Sequence, residues 1–336
     1  MPELPEVEFN RHEMERFCRG HKITKLTFPA GFDDIIMKEC ESEERLRNVL
    51  GIGVVIEEVT RKGKQLYFIM PNGVVVWHMG MTGAMIIQGE EPPEYKAFKV
   101  HADEWPPRFT KLELTFSNGC RMAFCDPRRL GRMKLCSKPA DEMDKLALDP
   151  LLTDVSAEHL ALKLAKYNKP IKALLLEQDK VVCGIGNWVA DEVLFRAGIH
   201  PSSKSQHIAS HPQVLCALAS ALSSVVREAA ALLIAREPLP QEWLFHHRWG
   251  KGKSGDKLPD GRHISFETIG GRTAAFIKSD QRIVIPTIKV KREKIQDDDF
   301  VDDEQSKRKQ RKEKTSKGMV KGTKPEDEQD EESHST

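Results

Sequence analysis

The chain lacks the marks of several common protein classes. Its seven cysteines are odd in number, no two of them form a CxxC pair, and none follows Cys216. This pattern favours reduced thiols in an intracellular protein over a disulfide framework or a zinc site. We find no apolar run of about 18 residues and no signal-peptide pattern, so we expect a soluble protein that is neither secreted nor bound to a membrane.

Apolar residues are also scarce, at 39% of the 336 residues. A wholly folded protein has a larger share, so part of the chain should be disordered. Residues 287–336 fit that description, because "DDDFVDDE", "SKRKQRKEK" and "EDEQDEE" alternate in charge with almost no apolar residues. Within this charged tail, "KRKQRKEK" could act as a nuclear import signal, as a DNA-tethering arm or as neither. We expect the nucleus as the location.

Short strand-like segments are plentiful in the first half of the chain. Runs such as "QLYFIM", "VVVWHMG", "KLELTF" and "CRMAFC" are rich in β-branched and aromatic residues, and "PNG" and "SNG" turns link neighbouring runs. This is the chemistry of β-hairpins, and it predicts an antiparallel β-sandwich or barrel. A helix is predicted before it, from about Leu4 to Arg19, because Val7, Met14 and Cys18 recur at roughly helical spacing.

The pattern becomes helical after "SKPADEMD". Ser156 is suited to the N-cap of "SAEHLALKLAKY", Gly198 ends "NWVADEVLFRAG", and a longer helix follows. Strand-like alternation then returns around a Gly-Gly turn in "GRHISFETIGGRTAAFIK". The predicted fold class is therefore α+β. We assign residues 1–136 to a β-sandwich domain with an N-terminal helix, 137–152 to a linker, 153–261 to a helical domain and 262–286 to a β-hairpin.

The opening residues, "MPELPEVE", raise a chemical question. Proline suits the first helical position and acidic residues suit the first turn, which accounts for Pro5 and Glu6. These preferences do not account for Pro2 and Glu3, which precede the predicted helix. Removal of Met1 would expose Pro2 as a secondary amine, although most such termini are frayed and have no role.

Four further motifs concentrate cations or glycines. "RKGKQL" places Lys64 at the junction of two strands, and "DPRRLGR" collects arginines around the apolar Leu130, although basic residues on hairpins are usually only solvated. "HMGMTG" has Met81 between two glycines, where a core methionine is the default interpretation. "GIGNW" has Asn187 near a helix N-terminus, where backbone amides can bind a phosphate and where a structural turn is about as common.

Together, "MPELPEVE", "RKGKQL", "HMGMTG", "DPRRLG" and "GIGNWVADEVLFRAGIHP" resemble, in order and spacing, the formamidopyrimidine-DNA glycosylase and endonuclease VIII family. The resemblance covers about residues 1–285 and is closest to the plant-type members. It implies a bifunctional DNA glycosylase and abasic-site lyase of base excision repair. Such an enzyme flips out oxidised purines, removes them through a Schiff base and cleaves the strand by β,δ-elimination.

The resemblance also implies partners. Damaged double-stranded DNA would be the substrate, bound by a monomer that needs no cofactor and no membrane. The charged tail could engage other repair proteins.

The resemblance assigns the chemistry to three residues. Pro2 would be the nucleophile that attacks the sugar C1′ of the damaged nucleotide, and Glu3 would donate a proton to the ring oxygen. Lys64 would grip the phosphates that flank the lesion. Glu6 would line the lesion pocket, with the first turn of the helix as a competing explanation of its position.

Other residues would hold the DNA. Met81, Arg128 and Leu130 would fill the void left by the flipped base, with leucine at a position that is usually aromatic in bacterial members. In the helical domain, which would be a helix-two-turn-helix, Asn187 and its neighbouring amides would bind the DNA backbone. Arg272 would do so at the tip of the hairpin. Bacterial members bind zinc there through four cysteines, and this chain has none, so we predict a zincless finger without metal.

The connection "IAREPLPQEWLFHHRWGKGK" bears on the choice of lesion. It is shorter than the loop that closes over 8-oxoguanine in bacterial members, and it carries Pro238 and Pro240. We therefore expect activity on formamidopyrimidines and hydantoin-type lesions and weak activity on 8-oxoguanine. Two other interpretations stay open at this point: a catalytically inactive damage-binding scaffold of the same fold, and an RNA-binding protein that uses the same helical motif.

Overall fold

The structure is a computed structural model that describes residues 2–91, 104–249 and 257–286. The predicted disordered tail, 287–336, lies outside these residues. In chain order the elements are α1 (Leu4–Cys18), β1 (Ile23–Thr27), α2 (Glu43–Val49), β2 (Glu58–Lys62), β3 (Gln65–Met70), β4 (Gly73–His78), β5 (Ala84–Ile87), β6 (Thr110–Phe116), β7 (Arg121–Cys125), β8 (Arg132–Cys136), α3 (Ala140–Met143), α4 (Ala157–Leu164), α5 (Ile171–Leu175), α6 (Asn187–Arg196), α7 (Ser205–Ala209), α8 (Pro212–Ile234), α9 (Leu244–His247), β9 (Ser265–Ile269) and β10 (Arg272–Phe276).

Helix α1 confirms the helix predicted for the N-terminal segment. It has proline in its first turn, where the missing amide hydrogen costs nothing. Val7, Met14 and Cys18 are buried on one side, as their spacing predicts. Gly20 ends the element with φ of +78°, a conformation that favours glycine.

Two antiparallel four-stranded sheets follow, in the orders β1-β6-β7-β5 and β2-β3-β4-β8. The "PNG" turn joins β3 to β4 and the "SNG" turn joins β6 to β7, as predicted. Both sheets contribute to one apolar core, in which the rings of Trp77 and Phe124 lie 5.4 Å apart. Strand β1 was not predicted; it pairs with β6 in the register Leu26 to Leu114.

The helices from α4 onward enclose a second apolar core. Ser156 is the N-cap of α4, since its hydroxyl accepts a hydrogen bond from the His159 amide at 3.1 Å. The α+β class predicted from the sequence is confirmed. The domain boundaries stay a prediction.

Helix α8 corrects one expectation. By length and composition alone it is apolar enough to cross a membrane, so the absence of such a run from the sequence was wrongly inferred. The helix packs against α1, α4 and α6, and its buried side chains include Leu218, Leu222 and Val225. This packing accounts for the apolar composition, because one face of α8 forms part of the second core.

A buried ion pair joins the β2–β3 turn to the segment that leads into the helices. The Arg61 guanidinium, 1% exposed, donates to Asp149 at 2.5 Å and to Glu8 at 2.8 Å. The same Asp149 carboxylate accepts the Gly63 amide at 2.7 Å. The expectation that basic residues of this hairpin are only solvated is therefore wrong for Arg61, which fixes the turn that carries Lys64.

Candidate active site

Glu3 binds the first turn of α6. The amides of Trp188 and Val189 donate to its two carboxylate oxygens, each at 3.0 Å, and the side chain is 2% exposed. A carboxylate in this position is stabilised by charge-assisted hydrogen bonds and by the positive end of the helix dipole. The contact joins residues that are 185 and 186 positions apart in the chain.

Two glycines of the "GIGNW" turn make room for the N-terminal residues. A Cβ on Gly186 would lie 2.1 Å from Glu3 Cδ, and a Cβ on Gly184 would lie 2.5 Å from Leu4 Cδ1. The Leu4 amide also donates to the Gly184 carbonyl at 3.0 Å. Pro2, next to Glu3, is buried. Residues from Pro2 onward are therefore docked on this turn, and the frayed terminus considered above is wrong for them.

Glu6 makes the helix-start contact considered for it and also bonds to α6, while its place in a lesion pocket stays a prediction. Its Oε2 accepts the Glu3 amide at 3.0 Å, which is a helix-start contact, and its Oε1 accepts the Trp188 indole N–H at 2.9 Å. Burial, with the charge of Glu3 as the next cause, raises the pKa of Glu6 to about 7. At neutral pH this carboxyl is thus divided between its protonated and ionised forms, unlike an ordinary glutamate.

Lys64 completes the group. Its Nζ donates to the Ile185 carbonyl at 2.8 Å, so the β2–β3 turn reaches the same "GIGNW" turn that holds Glu3. Burial lowers the pKa of Lys64, while the charges of Glu3 and Glu6 oppose that shift and the charge of Arg272 adds to it. Lys64 therefore lies within electrostatic reach of both carboxyls and of the exposed arginine on the β9–β10 hairpin.

The loop after β7 is organised by Asp126, which is fully buried. Its carboxylate accepts the Thr82 hydroxyl at 2.6 Å and the Gly131 amide at 2.7 Å. The turn that contains Gly80 packs closely against the same loop, because a Cβ on Gly80 would lie 2.4 Å from the Leu130 carbonyl. Asp126 thus ties the "HMGMTG" and "DPRRLGR" loops together.

These two loops present the residues predicted to fill a void. Met81 is 37% exposed, so the default interpretation of a core methionine is wrong. Arg128 is exposed and Leu130 is half-buried. The adjacent Arg129 is held back by Asp33, to which it donates two hydrogen bonds of 2.9 Å. Burial alone would raise the pKa of Asp33, but hydrogen bonds from Arg129 and other donors lower it to about 2.

Asn187 is the first residue of α6, and its Oδ1 is buried without a hydrogen-bond partner among the described residues. The expectation that neighbouring amides bind the DNA backbone needs correction, because those of Trp188 and Val189 donate to Glu3. The "GIGNW" motif was noticed in the sequence, but its contact with Glu3 was not. Asp33 was also missed as the organiser of a loop, and no sequence signal separates it from an ordinary turn aspartate.

Family models match most of this region. Residues 1–133 match the formamidopyrimidine-DNA glycosylase N-terminal domain, and residues 146–233 match the formamidopyrimidine-DNA glycosylase H2TH domain. A formamidopyrimidine-DNA glycosylase of Arabidopsis thaliana is 32% identical over 288 residues, which is 84% of this chain and 71% of the relative. A formamidopyrimidine-DNA glycosylase of Bacillus subtilis is 31% identical over 287 residues, which is 82% of this chain and 97% of the relative.

Solved structures give the same result. MutM in complex with DNA containing carbocyclic 8-oxo-G has a TM-score of 0.66 and 26% identity, over 84% of this chain and 100% of that one. Lactococcus lactis formamidopyrimidine-DNA glycosylase, non-covalently bound to DNA with an abasic site, has a TM-score of 0.65 and 25% identity. The match covers 83% of this chain and 99% of that one.

The Glu6 carboxyl gives a prediction about pH. Because its folded-state pKa of about 7 exceeds the ordinary 4.5, the protein takes up a proton on folding between these values, and stability falls as pH rises from 5 to 7. The glutamine of Glu6→Gln cannot titrate. Between pH 5 and 7 the free energy of unfolding of this variant should therefore fall by about 1–2 kcal/mol less than that of the wild type, allowing for solvent screening. Urea unfolding at both pH values measures the difference. The exposed Glu41→Gln should follow wild type, and a Glu6→Gln profile parallel to wild type would contradict the assignment.

Proposed function

This chain belongs to the formamidopyrimidine-DNA glycosylase family, and we propose that it is a bifunctional enzyme that removes oxidised purines from double-stranded DNA and then cleaves the strand at the abasic site. The observation that carries the proposal is the meeting of three distant segments at the first turn of α6. Glu3 and Lys64 each form hydrogen bonds with the "GIGNW" turn there, and Pro2 is buried directly beside Glu3.

Pro2 supplies the nucleophile once Met1 has been removed. Its unprotonated secondary amine attacks C1′, the damaged base leaves with a proton, and ring opening gives an iminium ion. The iminium nitrogen accepts the electron pairs of β-elimination and then of δ-elimination, which release the phosphates on either side of the sugar. Hydrolysis of the remaining adduct returns the free amine.

Glu3 and Lys64 assist these steps. Glu3 takes the proton that the Pro2 nitrogen loses on attack, donates it to the ring oxygen as the sugar opens and shuttles protons during elimination, and its two hydrogen bonds to α6 keep it in one orientation. The Lys64 ammonium neutralises the phosphate that leaves. Glu6 lines the pocket for the flipped base, where its protonated form can donate a hydrogen bond that an ordinary glutamate could not.

DNA is held on both sides of the lesion. Met81, Arg128 and Leu130 enter the duplex in place of the flipped base, and the exposure of Met81 supports this role. Asn187 binds a phosphate through the NH2 group of its side chain, and Arg272 binds another phosphate from the hairpin tip.

Zinc does not fit this hairpin. Its described residues, 257–286, contain no cysteine and a single histidine, so the four-cysteine site of bacterial members cannot form there. We propose a zincless finger and assign no step of the reaction to a metal.

The lesion preference follows from the segment 236–249, which we call the connecting segment. Leu239 and Trp243 are 6% and 3% exposed and pack in the helical core. Arg236 anchors its start to Glu13 at 2.7 Å. With Pro238 and Pro240 in addition, this segment is poorly suited to close over a base as a lid. We propose weak excision of 8-oxoguanine, which relies on lid contacts to be distinguished from guanine.

A damage-binding scaffold without catalysis is the second candidate, because void-filling and phosphate-binding residues alone would support it. The intact Pro2, Glu3 and Lys64 group favours the enzyme. The nuclear location remains a proposal that rests on the "KRKQRKEK" run, which lies outside the described residues.

Borohydride trapping tests the mechanism. Sodium borohydride reduces the iminium to a stable amine, so wild type should be covalently trapped on a duplex with an abasic site. A variant with residues retained ahead of Pro2 has an amide at that nitrogen, and trapping should fall by at least roughly 100-fold while DNA binding changes little. The same added residues at the C-terminus are the control. Equal trapping by a verified blocked N-terminus would contradict the role of Pro2, and no trapping by wild type would favour the scaffold.

Matched duplexes test the lesion preference. Single-turnover excision of 8-oxoguanine opposite cytosine should be at least roughly tenfold slower than that of formamidopyrimidine-guanine opposite cytosine, because the flipped base lacks lid contacts. A rate on 8-oxoguanine equal to or above that on the ring-opened lesion would show that the anchored connecting segment does not limit recognition.

A further inference from the structure

Asp191 is the centre of a buried charged cluster outside the catalytic group. It lies on α6 and is 1% exposed. Its carboxylate forms ion pairs with Lys172 of α5 and with Arg248, which follows α9 and donates to it at 2.8 Å and 3.1 Å. The carboxylate also accepts the amide of Ala275, on β10, at 3.1 Å. Three segments therefore meet α6 at one of its side chains.

The cluster forms hydrogen bonds with the backbone of the β9–β10 hairpin. Besides the Ala275 amide, the Thr273 carbonyl accepts a hydrogen bond of 2.9 Å from Lys172, whose side chain is fully buried. Thr273 directly follows Arg272 in the chain. The hairpin strand that carries Arg272 is thus held at two backbone groups, next to the exposed guanidinium.

The cluster also reaches the active site. Asp191 is one turn along α6 from Asn187, and Arg248 lies against the Asn187 carbonyl at 3.5 Å. The first turn of the same helix holds Glu3. One rigid element therefore fixes both the catalytic carboxylate and the hairpin.

We propose that Asp191 is a positioning residue for DNA binding, and that its ion pairs with Lys172 and Arg248 hold the Arg272 hairpin against α6 in the way that a bound metal would hold it in a finger. The inference rests on the proposed function, because it assumes that Arg272 contacts a DNA phosphate. Removal of the carboxylate leaves two buried cations that repel each other, which is far more disruptive than the loss of an exposed pair. The hairpin should then detach from α6 while the active-site group stays in place.

The salt dependence of DNA binding measures this effect. A lost phosphate contact reduces the slope of log K against log salt by about one. Arg272→Ala and Asp191→Asn should each give this reduction on an abasic-site analogue duplex. Their combination should reduce the slope no further, because a displaced hairpin cannot deliver the arginine.

The control is a buried carboxylate of similar chemistry away from the hairpin. Glu113 pairs with Arg121 at 2.5 Å and accepts the Trp105 indole N–H at 2.8 Å within the sandwich region. Glu113→Gln should lower the melting temperature and leave the salt slope unchanged. This comparison separates loss of position from loss of stability.

Each outcome is decisive. An unchanged slope in Asp191→Asn, or additive losses of about two in the double variant, would overturn the inference while Arg272→Ala still supports the proposed DNA contact. An unchanged slope in Arg272→Ala would instead remove Arg272 from the interface and contradict the proposed function at that residue. If Asp191→Asn does not fold, Lys172→Met leaves Asp191 paired with Arg248, frees the Thr273 carbonyl and should give the same non-additive loss.

Discussion

The hydrogen bonds from α6 to the Glu3 carboxylate are the contact on which the rest of the site depends. Chain termini are usually frayed, because few contacts offset their conformational entropy. Two charge-assisted hydrogen bonds, each contributing about 1.5–3 kcal/mol, are enough to hold a short terminal segment. They fix Glu3 and bring Pro2 to a buried position beside it. A nucleophile at the second residue can attack the sugar efficiently only if the N-terminal segment is held in one position.

The same device recurs elsewhere in the molecule. Buried carboxylates accept backbone amides of turns: Asp126 holds Gly131, and Asp149 holds Gly63. Asp126 thereby fixes the loop that exposes Arg128, and Asp149 fixes the turn that carries Lys64. These carboxylates are buried within the loops that they shape, while the cations Arg128 and Arg272 are exposed. A chain with a net charge of only +1 can in this way present exposed cations locally, as binding to DNA phosphates requires.

Much of the fold could be predicted because its signals are local. The hairpins follow from "PNG" and "SNG" turns, and the N-cap of α4 follows from Ser156. Strand β1, "ITKLT", has only two apolar residues, and it forms because β6 provides a partner. The apolar length of α8 was underestimated because its serines and alanines dilute the pattern, although the helix is a core element.

The sequence predicted which residues form the site, but it predicted less of how they are arranged. Five motifs in order led to Pro2, Glu3 and Lys64, yet no motif indicated that Glu3 would occupy the amides of α6. That contact spans 185 residues and depends on tertiary packing. The burial of Arg61 was missed for the same reason, since its partner Asp149 lies 88 residues away.

Gly186→Ala tests the central claim most directly. The added Cβ would lie 2.1 Å from Glu3 Cδ, without a φ penalty at this position, so it should displace Glu3 and Pro2 together. We predict that borohydride trapping on an abasic-site duplex falls by at least roughly 100-fold while DNA binding stays within a few fold. Gly53→Ala, which adds a Cβ in open space at a strained φ of +88°, should trap normally. Normal trapping by a folded Gly186→Ala protein would contradict the account, because the docked terminus would then be unnecessary for the chemistry.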